Sequence, residues 1–473
     1  MERQERRYLA FDLGASSGRA ILGRVRAGRL ELEEIHRFDN YPYEKAGHYF
    51  WDFRALLAEL ETGLKKACAA APAPASFSID TWGVDYALFR GGELLRDPYC
   101  YRDCRTEAAM AEFHKRISKA DFYARNGIQP LVFNTIYQLC AELRDDPAAL
   151  DGSVMLNMPD ALHFMLTGTA TCEITIASTG ALLKAGSPEW DADALSGLAG
   201  LPAGLFSRLV PPASPAGGLK PETASRLGIP QIPAVKCASH DTASAVLAMP
   251  CTDPEKALYI SLGTWALLGA ELPAAVLTPE ALESHFTNER GAENTFRFLV
   301  NIMGTWLLQE TRRTWTEQGR DISFADMEAM AAPLDGKPFR IDLDDPVFFP
   351  PGDMPERVRR YCAEHGQGEI PDDAALVRCI YDSLADCFNQ RIGQLESITG
   401  RRFDTLNILG GGTRDKFFMR LAAKTAGRRV LAGPAEATAI GNILAQMIAG
   451  GELKDAAAAR ALVAASFPLD VYA

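Results

Sequence analysis

The sequence predicts an α/β protein of two domains, each built on the same strand, turn and strand module. Three observations carry that prediction. Tyr8-Leu-Ala-Phe-Asp-Leu-Gly-Ala-Ser-Ser-Gly-Arg19 sets a small-residue turn with two hydroxyls between two apolar runs. Ala257-Leu-Tyr-Ile-Ser-Leu-Gly-Thr-Trp-Ala-Leu-Leu-Gly269 repeats the arrangement in the second half of the chain, and self-similarity at that range marks a duplicated architecture. Strands then alternate with helices in both halves, and 473 residues exceed what one core organises. The two domains are expected to face each other across a cleft, with residues 1–247 in one and 248–473 in the other.

Residues 8–13 read as a buried strand, 14–18 as the turn and 19–25 as the returning strand. Ala27-Gly28 turns the chain into a third strand over 30–38, which completes an antiparallel meander. Residues 53–68 place apolar side chains at helical spacing, and the Ala69-Ala-Ala-Pro-Ala-Pro74 stretch ends that helix. Residues 76–89 read as strand, polar turn and strand, with Asp80, Trp82, Gly83 and Asp85 in or near the turn. Residues 98–205 are mainly helical in pattern. Val235-Lys-Cys-Ala-Ser239 is a short buried strand running into His240-Asp241-Thr242, and a helix over 243–249 is stopped by Pro250.

In the second half, residues 296–315 bring a strand and then a helix bearing Asn301, Trp306 and Gln309. Residues 372–399 form one long amphipathic helix ended by Gly400. Leu406-Asn-Ile-Leu-Gly-Gly-Gly-Thr-Arg414 is a buried strand, three glycines and a helix start. Residues 430–441 parallel 235–246: strand, small-residue turn, acid, helix.

Hydrophobic content of 47% and charged content of 23% are those of a globular protein. A net charge of −12 excludes non-specific binding to nucleic acid or anionic membranes. No run is long and apolar enough to span a bilayer, and Met1-Glu-Arg-Gln-Glu-Arg-Arg7 carries no apolar export segment, so the expected compartment is the cytoplasm. The ten cysteines form no Cys-x-x-Cys pair and the seven histidines show no metal-ligand spacing. Reduced core thiols are therefore expected rather than disulfides or a zinc site.

A turn of small residues can aim several backbone N–H groups at one anion, and phosphate suits such a nest. Because a strand follows Gly18, the turn is neither a P-loop, whose Lys it also lacks, nor a dinucleotide fingerprint. Asp12 ends its strand beside the turn, where a carboxylate can hold hydrated Mg2+ against phosphates. Gly410-Gly-Gly-Thr413 lets a flat ring approach the backbone where a side chain would obstruct it. Two phosphate turns and a ring platform together describe a nucleotide. Each motif also has a plainer reading: the Gly14 to Gly18 turn as an ordinary hairpin, and Asp241 as the cap of a helix beginning at Thr242.

Asp12-Leu-Gly-Ala-Ser-Ser-Gly-Arg19, Leu262-Gly-Thr264 and Gly410-Gly-Gly412 resemble the phosphate and adenosine motifs of the actin, Hsp70 and sugar-kinase superfamily. Five further stretches narrow the resemblance to the FGGY carbohydrate kinases, and among these to the kinases of L-rhamnulose. They are Ile79-Asp-Thr-Trp-Gly-Val-Asp85, Tyr101-Arg-Asp103, Phe133-Asn-Thr135 with Tyr137-Gln138, Ala238-Ser-His-Asp-Thr-Ala-Ser-Ala-Val246, and Asn301-Ile-Met-Gly304 with Trp306-Leu-Leu-Gln309.

The resemblance implies two ribonuclease H-like domains of the actin-like ATPase type, with a nucleotide and sugar cleft between them. It implies transfer of the ATP γ-phosphoryl group to O1 of L-rhamnulose in rhamnose catabolism, with Mg2+ as cofactor. L-Fuculose is the alternative ketose, and an actin-like or Hsp70-like nucleotide-driven binding protein is the alternative class. By the same resemblance Asp241 is the catalytic base, and Trp82, Gly83, Asp85, His240, Asp241, Thr242 and Asn301 meet the sugar. ATP falls to Ala15, Ser16, Ser17, Gly18, Arg19, Thr264, Gln309 and Gly411, and Mg2+ to Asp12 through water. A monomer or weak dimer acting on small molecules is expected, with no nucleic-acid or membrane partner.

Overall fold

The computed structural model describes residues 6–69, 72–251, 253–334 and 338–473. The charged chain start at residues 1–5, and Ala70 and Ala71 at the end of the first helix, lie outside them. The chain forms two compact units: Met1–Thr252 with Glu271–Phe298 and Ala437–Phe467, and Asp253–Ala270 with Leu299–Glu436 and Pro468–Ala473. The units thus interleave along the sequence, since two segments from beyond residue 248 pack within the first.

The first unit is built on strands β1 (Arg7–Leu13), β2 (Ser17–Arg26), β3 (Arg29–Asp39), β4 (Ser76–Thr81), β5 (Ser214–Gly218) and β6 (Pro233–Lys236), in the sheet order β5-β6-β4-β1-β2-β3. β1 and β4 are buried along their whole length, which is why they read as nearly continuous apolar runs rather than alternating ones. β1 is antiparallel to β2 and parallel to β4, and this register sets Asp12 opposite both Arg19 and Asp80.

Helix Phe53–Ala69 covers the sheet through Leu56, Leu60 and Leu64, with Gly63 giving way to the Phe11 ring. The catalytic-loop candidate follows β6, and its helix is Asp241–Leu247. The helix therefore starts at Asp241 rather than at residue 242 or 243, with His240 in the extended cap position. Helix Ala437–Ala449 lies so close to it that a Cβ at Gly441 would fall 1.8 Å from the Ser244 carbonyl oxygen.

The second large sheet repeats the plan with β7 (Ala257–Leu262), β8 (Trp265–Leu272), β9 (Phe296–Met303), β10 (Thr405–Leu409), β11 (Arg429–Ala432) and β12 (Asp470–Tyr472). Their order is β9-β8-β7-β10-β11-β12. β7 is antiparallel to β8 and parallel to β10, and β10 is parallel to β11, which matches β1 with β2, β4 and β6 strand for strand. The duplication expected from the two turns is present in the topology. Asn301 lies on β9, not on the helix that follows, Trp306–Glu317. The long helix is Asp373–Thr399, capped by the Asp372 side chain on the Ala375 N–H and stopped by Gly400 at φ 65°.

All ten cysteines are free thiols, and no helix among the described residues is long and apolar enough to cross a membrane. Gly441→Ala is expected to force its helix off the Asp241–Leu247 helix. Overpacking of this kind costs about 1–3 kcal/mol. Thermal and urea unfolding should show the loss, while Gly411→Ala, where no atom lies within 4 Å of a built Cβ, should unfold as wild type does.

Candidate active site

The first turn owes its shape to a residue outside it. Asn40 donates its side-chain amide to the Gly14 carbonyl at 2.8 Å and its backbone N–H to the Ser16 carbonyl at 3.1 Å. Gly14 N–H closes the turn on the Ser17 carbonyl at 2.8 Å. The carbonyls of Gly14, Ser16 and Ser17 are thereby consumed, and the N–H groups of Ala15 and Ser16 have no protein acceptor among the described residues. That is the polarity an anion needs. Neither Gly14 nor Gly18 has positive φ, so backbone freedom is not what selects them. A Cβ at Gly18 would lie 2.1 Å from the Phe38 ring, and packing selects that glycine.

Arg19 Nη2 pairs with Asp12 Oδ2 at 2.5 Å. Asp80, fully buried beside them, accepts from Asn442 Nδ2 at 2.6 Å, and its Oδ1 has no hydrogen-bond donor. Burial first, then the negative charges of Asp12 and Asp241, holds the Asp80 carboxyl well above the usual range.

The second loop runs from Thr81 to Asp85. Val84 sits at φ 67°, a conformation that costs a β-branched residue energy and persists only where the surroundings impose it. Its N–H donates to Thr179 Oγ1 at 3.0 Å, and its carbonyl accepts from Thr135 Oγ1 at 2.6 Å. Gly83 approaches the same Thr179, with a built Cβ at 3.3 Å.

Asp85, expected among the sugar contacts, is fully buried and bonded within the protein. Its Oδ2 accepts from Trp51 Nε1 at 2.6 Å, Trp82 Nε1 at 2.9 Å and Tyr101 N–H at 3.2 Å, and its Oδ1 accepts from Gln138 Nε2 at 3.1 Å. Four protein donors occupy the carboxylate, and its buried position pushes its pKa up to about 6 despite them. Asp85 locks the Trp51 and Trp82 rings, whose centroids are 4.3 Å apart.

The third element is the loop after β6. Ser239 accepts from Thr81 N–H at 3.0 Å and donates its own N–H to Glu173 Oε2 at 2.9 Å, while His240 N–H donates to Thr175 Oγ1 at 3.3 Å. Burial pushes the Glu173 carboxyl up to about 7 against these hydrogen bonds. Asp241 projects from this support with its side chain one-third exposed. Its Oδ1 receives Thr242 N–H at 2.6 Å, Thr242 Oγ1 at 3.2 Å and lies 3.2 Å from His240 Nε2. Oδ2 is left as the open acceptor. Thr242 is buried and turned onto Asp241, so its hydroxyl orients the carboxylate.

In the second unit, Thr264 Oγ1 donates to Gln309 Oε1 at 3.1 Å, and Gln309 Nε2 donates to Thr305 Oγ1 at 2.8 Å, so two of the expected nucleotide residues meet. The turn is clamped by Gly304 N–H on the Thr264 carbonyl at 3.0 Å, and a Cβ at Gly304 would lie 2.7 Å from the Gly263 carbonyl oxygen. The three glycines have separate reasons. Gly410 adopts φ 90°, and a Cβ at Gly412 would strike the Leu262 side chain at 2.4 Å. Gly411 has neither constraint: it is exposed, with open space around a built Cβ. Asn301 is half-buried on β9.

The described residues contain no group of three or more His, Cys, Asp or Glu able to hold a metal ion. A divalent ion that keeps its waters and arrives with phosphates needs only one or two carboxylates, and Asp12 at the strand end fits that mode.

Residues 7–248 match the N-terminal domain, and 258–450 the C-terminal domain, of the FGGY family of carbohydrate kinases. The chain is 43% identical over 473 residues to a rhamnulokinase of Enterococcus faecalis, covering 99% of this chain and 94% of that protein. It is 40% identical over 469 residues to that of Bacillus subtilis, covering 98% and 95%. The fold is similar to a gluconate kinase from Lactobacillus acidophilus (TM-score 0.81, 14% identity, 99% and 94% covered). It is equally similar to Plasmodium falciparum glycerol kinase with ADP (TM-score 0.81, 15% identity, 99% and 94% covered). The architecture is that of the actin-like ATPase fold.

Because neither packing nor φ demands glycine at 411, Gly411→Val should leave the melting temperature unchanged and raise KM for ATP by about tenfold or more. An unchanged KM would remove Gly411 from the ring platform.

Proposed function

The chain belongs to the FGGY family of carbohydrate kinases, and from that premise we propose that it transfers the γ-phosphoryl group of ATP to O1 of L-rhamnulose, giving L-rhamnulose 1-phosphate and ADP. The observation that carries the choice of sugar is end-to-end likeness, at about 40% identity, to kinases named for it. Phosphoryl transfer asks for alignment and charge neutralisation, with a carboxylate that takes the hydroxyl proton as the O–P bond forms. Asp241 Oδ2 is assigned that proton, and the donors on Oδ1 hold it in place. An ionised Asp is a weak base, which suffices when the proton leaves late.

Gly83 offers its backbone, and Trp82 a ring edge, to the sugar; His240, Thr242 and Asn301 complete that set. Ala15, Ser16, Ser17, Gly18 and Arg19 are assigned to phosphate, Thr264 and Gln309 to the nucleotide, and Gly411 to its base. Mg2+ bound with ATP would be held by Asp12 through water and would neutralise phosphate charge. Residues 1–247 then carry the base, the first phosphate turn and the sugar contacts other than Asn301, and 248–473 the remaining nucleotide contacts. Ten free thiols support a reducing compartment, the cytoplasm, and the enzyme is assigned as a monomer or weak dimer.

A panel of L-rhamnulose, L-fuculose, D-xylulose and glycerol, with ADP release as the readout, tests the substrate. L-Rhamnulose should give the highest kcat/KM and a 1-phosphate product by phosphorus NMR; an equal kcat/KM for D-xylulose would overturn the choice. Asp241→Asn should keep ATP binding and lose about 10²–10⁴-fold in kcat. Near wild-type turnover would reduce Asp241 to an ordinary first-turn helix residue.

A further inference from the structure

The contacts behind His240 form a charged chain that the family resemblance does not mention. Arg297, on β9, is completely buried, and its Nε–H donates to the Arg290 carbonyl at 3.0 Å, which fixes the plane of the guanidinium. In that plane Nη2 donates to His240 Nδ1 at 3.0 Å. Glu289, on strand Phe286–Arg290, places Oε2 at 2.9 Å from the same Nη2 and 3.0 Å from His240 Nδ1. Neither N–H is directed at Oε2, so Glu289 acts by charge and the directed bond runs from arginine to histidine. The Arg297 guanidinium beside it holds the Glu289 carboxyl below the usual range even though burial opposes this.

A guanidinium has donors only and keeps its protons, so a nitrogen that receives its N–H must be the unprotonated one. Nδ1 of His240 is that nitrogen. The ring proton is then on Nε2, which lies 3.2 Å from Asp241 Oδ1. We propose that Arg297 is a positioning residue that fixes the Nε2–H tautomer of His240, so that the imidazole sets an N–H rather than a lone pair 3.2 Å from Asp241 Oδ1 and leaves Oδ2 as the base. A neutral ring holds the carboxylate without setting a full positive charge against it. Glu289 balances the arginine, which would otherwise be an uncompensated buried charge. The opposite tautomer would present a lone pair to Asp241 and turn the carboxylate away. The proposal rests on Asp241 as the base, and its first test needs no substrate.

Protein labelled with ¹⁵N-histidine, with His240 assigned from the His240→Gln spectrum, reports the tautomer through long-range ¹H–¹⁵N correlations. The expected result at neutral pH is a protonated Nε2 and a bare Nδ1; a protonated Nδ1, in either the neutral ring or the imidazolium, would overturn the proposal. Arg297→Lys keeps the charge beside Glu289 but cannot bridge the Arg290 carbonyl and His240 together. It should mix the tautomers and lower kcat on the order of 100-fold, as expected for a misplaced reacting group, with KM for ATP unchanged. Turnover within about twofold of wild type in a folded Arg297→Lys protein would also overturn it. Should that variant fail to fold, the wild-type tautomer alone decides. A failure of the sugar assignment would appear instead in the wild-type substrate panel and leave the tautomer as measured.

Discussion

Four buried hydrogen bonds to the backbone between Cys237 and His240 are the constraint on which the first unit's site depends. Cys237 N–H meets Ser78 Oγ at 3.0 Å, the Ser239 carbonyl meets Thr81 N–H, and the N–H groups of Ser239 and His240 meet Glu173 and Thr175. An unpaired backbone group in that interior would cost about 1–3 kcal/mol, so the loop has little freedom to rearrange. Glu173 is in turn held by Asp160, which accepts the Glu173 N–H at 3.1 Å and pairs with the fully buried Lys236 at 2.7 Å. Asp241 can therefore be partly exposed without being mobile: everything behind it is fixed.

The same region concentrates the unfavourable features of the molecule. Val84 is held at positive φ, and Asp80 is buried with one oxygen unsatisfied and the carboxylates of Asp12 and Asp241 both within electrostatic reach of it. Such costs persist where surrounding packing over-determines the geometry. Here that packing comes from helix Ala437–Ala449, whose Gly441 admits the Asp241–Leu247 helix. Its Asn442 and Gln446 bond Asp80 and the Leu9 carbonyl at 2.6 Å and 3.0 Å. A segment more than 400 residues from β1 thus completes the wall behind it.

What the sequence made legible was local. Hairpins, the long capped helix and the duplicated turn follow from apolar period, glycine and hydroxyl placement, all of which act over a few residues. The reasons for individual glycines were not legible, because Phe38, Ser244 and Leu262 reach Gly18, Gly441 and Gly412 only after folding. The donors that hold Asp85 were not legible either: of Trp51, Trp82, Tyr101 and Gln138, three lie outside its own turn. Asn40, Thr179, Glu173, Glu289 and Arg297 carried no local signal either: each acts across the fold on a loop that motif reading had found. Thr264 and Gln309 were found from sequence and do meet in the folded chain.

The most direct test of the central claim, that a rigid loop aims one carboxylate oxygen at the acceptor hydroxyl, is a crystal structure of the enzyme with L-rhamnulose and a non-hydrolysable ATP analogue. The account predicts Asp241 Oδ2 within about 2.6–3.2 Å of the sugar O1, with Oδ1 still bound to Thr242. A sugar whose O1 is held by another residue, with Asp241 Oδ2 facing solvent, would contradict it.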